Sequence, residues 1–139
     1  MKSIISVRCT NKECDFIFQY TIGFGMGCHS FEKAKWQIIK DGTFKVSDEI
    51  TNLLEKGYML EARAQYLCST CKEWQTHEEP YILEPTIVSP YGTIREYKVH
   101  YLFDYPHCTK CGNDLTFILN PRSSKNPCPK CGKLTLTAN

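Results

Sequence analysis

Eight of the nine cysteines in this chain form four close pairs: Cys9-x4-Cys14, Cys68-x2-Cys71, Cys108-x2-Cys111 and Cys128-x2-Cys131. A thiolate is a soft anionic donor, and a two-residue gap lets one tight turn aim both sulfurs at a single metal ion. Four sulfurs fill the tetrahedral shell of Zn2+, so the eight supply two structural zinc ions per chain and leave Cys28 over. Catalytic zinc keeps an open position and usually takes a histidine or carboxylate ligand. Shells closed with sulfur point instead to a non-enzymatic protein, and no residual catalytic set stands out beside them.

The redox compartment bears on this reading. The start, MKSIISVRC, has no apolar run of signal-peptide length, and no stretch approaches the roughly 20 apolar residues of a membrane span. A cytoplasmic protein without membrane contact is expected, where thiols stay reduced and bind metal rather than pair as disulfides. The formal charge is +2, and each zinc with four thiolates carries −2, which takes the chain to about −2. Nothing global then draws it toward phosphate.

At 139 residues and 42% hydrophobic content, the chain is one domain or two very small ones that each need a staple. Residues 2–8 and 15–22, rich in Ile, Val, Phe, Tyr and Thr, predict two strands around the Cys9–Cys14 turn. Gly23-Phe-Gly-Met-Gly27 follows, then Ser30 as the cap of a helix over 31–40. Ser47 caps a second over 48–56, with Ile50, Leu53 and Leu54 buried and Gly57 ending it. Pro80, Pro85 and Pro90 mark residues 80–92 as a connector, with Tyr81–Leu83 a short strand. Residues 94–103 alternate, placing Tyr97, Val99, Tyr101 and Phe103 on one face of a strand entering the last metal module.

The most specific motifs are Cys108-Thr-Lys-Cys111-Gly112 and Cys128-Pro-Lys-Cys131-Gly132, whose glycines allow the positive φ that such a turn demands. Residues 107–137 resemble a zinc ribbon, and the paired knuckles are similar to those of rubredoxins, which hold iron for electron transfer. Only sixteen residues separate the two knuckles here, without the aromatic-rich segment of rubredoxins. The whole layout also resembles a group of small bacterial proteins with two four-cysteine zinc-ribbon modules, in which Tyr-Pro-His introduces the last module. Tyr105-Pro106-His107 stands in that place. Joining neighbours along the chain puts Cys108, Cys111, Cys128 and Cys131 in one site. Cys9, Cys14, Cys68 and Cys71 form the other, across 53 intervening residues filled by the two helices.

The remaining residues carry weaker signals. The glycines before Cys28 could bind an anion at a helix start or simply turn a tight corner, and Cys28 could be reactive or a small buried hydrophobe. His29 and His107 lie beside cysteines, yet each site already has its four sulfurs. His77 and His100 have no partner in sequence, and Trp36 and Trp74 belong by default to a core. Residues 108–139 hold Lys110, Arg122, Lys125, Lys130 and Lys133 against Asp114, a local excess of +4 before the metal is counted.

The expected fold is α+β: two small antiparallel zinc-ribbon modules, the first with a helical insertion. The expected domains are 1–79, a connector and strand over 80–106, and a second ribbon over 107–139. The expected function is a zinc-binding module that contacts a protein partner. Two alternatives are nucleic-acid binding through the basic 121–133 loop, and rubredoxin-like electron transfer or thiol chemistry at Cys28.

Overall fold

The computed structural model describes residues 2–23, 47–58, 60–61 and 63–138. Two units emerge from their contacts. The first gathers residues 2–23, 64–77 and 106–138; the second takes the described residues between 47 and 63 together with 78–105. This replaces the sequential division at 79 and 106. The chain leaves the first unit and returns to it because its strands pair across long separations.

In the first unit, β1 (Lys2–Cys9) and β2 (Ile17–Gly23) form an antiparallel hairpin, with Ile5 opposite Tyr20 and Val7 opposite Phe18. β4 (Ala64–Cys68) and β5 (Glu73–His77) form another, with Leu67 opposite Trp74. Each hairpin gains a third, three-residue strand on the open side of its first strand. β8 (Thr116–Ile118) pairs with β4, and β9 (Leu136–Ala138) pairs with β1. The two sheets therefore have the same order, β2-β1-β9 and β5-β4-β8. Their nesting is first hairpin with last strand, second hairpin with the strand before it.

Alternation along the strands builds the core between them. Ile5, Val7, Phe16, Tyr20, Trp74 and Leu136 are buried together, with Phe18, Leu67 and Ile118 packed around them. Trp74 meets Phe16 and Phe18 edge-on, at centroid distances of 5.5 and 5.8 Å, a preferred aromatic geometry. One tryptophan thus ties the β4–β5 hairpin to the β1–β2 hairpin. Tyr66 is fully buried and packs edge-on against Phe117 and His77.

The second unit contains α1 (Asp48–Glu55) and a sheet of order β3-β6-β7, made from β3 (Leu60–Glu61), β6 (Tyr81–Val88) and β7 (Ile94–Tyr101). The Ser47 hydroxyl accepts from the Ile50 N–H as the N-cap, and Gly57 at φ +97° ends the turn after the helix. Ile50, Leu53 and Leu54 bury against Leu60 and Ile82. His100 is 8% exposed, with Nε2 2.9 Å from Glu84 Oε1 and Nδ1 3.2 Å from Glu49 Oε1, so it links β7 to both β6 and α1.

Three expectations need correction. Among the described residues the architecture is three small antiparallel sheets with one short helix, not an α+β fold with a helical insertion. The helix expected over 31–40 lies outside the described residues. Residues 81–88 are a strand rather than a connector: β3 pairs β6 only at Tyr81 and Ile82, so among the described residues no strand lies on that side of β6 at Pro85, which stands beside a register shift. Residues 94–101 belong to that hairpin in the second unit, not to a metal module, and Phe103 is 55% exposed.

Candidate metal centres

Strand pairing decides which cysteines meet. Cys9 ends β1 opposite Leu136, which places the 128–131 knuckle, immediately upstream of β9, against the 9–14 turn. Cys68 ends β4, and the addition of β8 to the same strand brings up the 108–111 knuckle. The outer quartet is therefore Cys9, Cys14, Cys128 and Cys131, and the inner quartet is Cys68, Cys71, Cys108 and Cys111. The eight expected cysteines form two groups of four, but the partners expected from adjacency are exchanged. Residues 107–137 do not make a ribbon of their own, because each of their knuckles is followed by a single short strand that pairs elsewhere.

Within each quartet the sulfurs all lie within 4.8 Å of one another. Cys9 and Cys131 are 3.7 Å apart, as are Cys14 and Cys128. Cys68 and Cys111 are 3.6 Å apart, and Cys71 and Cys108 3.8 Å. Sulfurs bound at about 2.3 Å around a tetrahedral zinc ion are separated by about 3.8 Å. A disulfide would need about 2.0 Å. The donor sets fit four-coordinate metal, and the eight cysteines are free thiols.

The knuckles repeat a common frame. Gly112 N–H donates to the Cys108 carbonyl at 2.9 Å and Cys108 N–H to the Asn113 carbonyl at 2.8 Å; Gly132, Cys128 and Lys133 repeat this at 2.8 and 2.9 Å. Both glycines have φ near +77°, at +78° and +76°. The 68–71 turn carries Lys72 in the corresponding place at φ +54°, where a Cβ is strained. Lys72→Gly is expected to stabilise the protein by about 0.5–1 kcal/mol, net of the glycine's greater unfolded-state entropy. Denaturant midpoints of zinc-loaded protein test this, and an unchanged or lower midpoint contradicts it. The wider 9–14 turn is held differently, by Cys14 N–H to the Asn11 carbonyl at 3.0 Å and Glu13 N–H to Asn11 Oδ1 at 3.2 Å.

Hydrogen bonds and burial divide the sulfurs. The backbone N–H of Cys111, with those of Lys110 and the Gln75 amide, draws the Cys108 thiol down to about 6 against its own desolvation. The Lys133 N–H does the same for Cys131, also to about 6. Burial pushes Cys71 and Cys128 up to about 12. Each quartet favours an initial thiolate and resists further ones until a cation balances them, so loading releases protons.

Two supporting residues carried no signal in the sequence. Gln75 Nε2 donates to Cys108 Sγ at 3.1 Å while its Oε1 accepts from the Thr109 N–H at 3.4 Å, and the Thr135 hydroxyl lies 2.9 Å from Cys9 Sγ. Only the β4–β5 and β1–β9 pairings bring them to the sulfurs. The histidines serve elsewhere: His107 Nδ1 is 2.9 Å from Asp114 Oδ1, and His77 Nε2 is 3.0 Å from Gln75 Oε1. Of the basic C-terminal residues, Lys110 pairs with Glu73 at 3.1 Å and Lys130 with Asp15, leaving Arg122, Lys125 and Lys133 without an ion pair among the described residues. This dilutes the positive surface a nucleic acid would need. Phe24–Gly27, Cys28, His29 and Trp36 lie outside the described residues.

No helix among the described residues is long and apolar enough to cross a membrane. Two four-cysteine clusters compatible with zinc-ribbon modules are what this chain presents, and no family model, curated protein or solved structure matches it.

Proposed function

We propose that this protein is a non-enzymatic, cytoplasmic module in which two structural zinc ions hold a nested pair of ribbons, and which acts by contacting another protein. The observation that carries the proposal is the closure of both centres by sulfur alone at tetrahedral spacing. Such ions organise a fold and leave no position for substrate. Support for a protein partner comes from the end of the β6–β7 hairpin, where Ile87, Val88 and Tyr91 are 48%, 51% and 94% exposed. An apolar, aromatic tip of that kind is costly to leave in water and suits a partner's pocket.

Elemental analysis tests the first half: two zinc per chain are expected, whereas iron, or fewer than two ions, contradicts it. For the second half, a photo-crosslinker in place of Tyr91 should trap a protein, and Val88→Asp should abolish the trapping without changing zinc content. Trapping that survives Val88→Asp would move the contact off this hairpin.

A further inference from the structure

The two centres differ in how far their sulfurs are protected. Cys111 is the exposed member of the eight; the other seven are buried or half-buried. Its counterpart in the outer centre, Cys131, lies 3.9 Å from the Thr135 hydroxyl, which also sits 2.9 Å from Cys9. Four residues after Cys111 the matching position is Leu115, which is buried and has no hydroxyl to offer. A backbone N–H reaches both sulfurs, from Asn113 to Cys111 and from Lys133 to Cys131, so what separates them is the Thr135 hydroxyl and exposure, and the inner centre presents the more accessible sulfur. The fully buried Cys68 sulfur waits 3.6 Å from it.

We infer that the inner centre is a peroxide-responsive site, in which Cys111 is oxidised first and closes a disulfide with Cys68, expelling the metal. This rests on the proposed zinc binding. The Cys111 thiolate attacks one oxygen of hydrogen peroxide, the O–O bond breaks, and sulfenic acid forms with loss of hydroxide. The Cys68 thiolate then attacks the Cys111 sulfur, forms the S–S bond and expels a second hydroxide. Two thiolates have given up two electrons, and one peroxide has become two hydroxides. A disulfide length of about 2.0 Å asks the sulfurs to approach by less than about 2 Å. Cys111 lies in a turn before Gly112, not in a strand, so that approach is local. Two ligands lost from four leave the zinc ion without a closed shell, while the outer centre stays intact.

The test uses full-length zinc-loaded protein carrying Cys28→Ser, so that the ninth thiol cannot compete. Hydrogen peroxide is added below one equivalent, zinc release is followed with a chromophoric chelator and native mass spectrometry, and disulfides are mapped by proteolysis. The expected result is a species lacking one zinc and two thiols, bearing a Cys68–Cys111 disulfide, and reloaded after dithiothreitol. Simultaneous loss of both ions, or a first disulfide that omits Cys111 or joins it to another cysteine, overturns the inference. Failure to find zinc in the protein before peroxide is added sinks the zinc reading itself, which separates the two failures.

Discussion

Chelation of zinc at neutral pH is expected to unfold the unit built from β1, β2, β4, β5, β8 and β9. Both three-residue strands reach their sheets beside a knuckle, and Cys128 is itself part of the buried core. A structural zinc ion contributes about 10–16 kcal/mol of apparent free energy, against about 5–15 kcal/mol for the net stability of a whole domain. Removing two should leave no folded margin. With Trp36→Phe as background, the emission of Trp74 should shift to the wavelength of a solvated indole, and near-ultraviolet circular dichroism should vanish. Acid is expected to act in the same direction. The metal-bound fold carries fewer protons than the unfolded chain, so stability rises with pH through the thiol range and falls as pH drops. Retained near-native dichroism in chelator at neutral pH contradicts the account.

Trp74→Ala is expected to cost about 3–5 kcal/mol, the range for emptying a buried aromatic site. The residue is 4% exposed and its two edge-on contacts, to Phe16 and Phe18, join the hairpin of the inner centre to that of the outer one. The cavity cannot close by a small shift, since both partners sit at or beside β2 while β5 is held in register with β4. Urea unfolding of the zinc-loaded variant measures this, and Trp74→Phe should recover much of the loss by keeping an aromatic ring. A loss below about 1 kcal/mol would mean the two ribbons do not depend on each other through this contact.

The candidate metal ligands were legible because cysteine spacing is a local property: each knuckle brings two sulfurs together whatever the rest of the chain does. Their partnership was not, because it is settled by strands far apart. Adjacent pairing has the shorter loops, but each doubling of loop length costs only about 0.6 kcal/mol. The separation of Cys14 from Cys128, 114 residues, therefore adds about 2 kcal/mol over a sixteen-residue loop, little against a metal site. What outweighs it is that β8 and β9 each follow a knuckle with no hairpin partner of their own, while β1 and β4 each offer an open edge. The helix over Asp48–Glu55 was readable from Ser47, the Ile50–Leu53–Leu54 stripe and Gly57, all local signals. β6 was obscured by Pro85, which its partly unpaired side tolerates. The burial of His100 was invisible, since it depends on Glu49 and Glu84 arriving from other elements.

The exchanged partnership is tested most directly by alkylation of the double variant Cys128→Ser/Cys131→Ser, loaded with zinc and read by mass spectrometry of its peptides. The nested arrangement predicts that Cys9 and Cys14 become reactive while Cys68, Cys71, Cys108 and Cys111 stay protected and one zinc remains. Protection of Cys9 and Cys14 together with exposure of Cys108 and Cys111 would restore pairing between neighbours and contradict the nested ribbons.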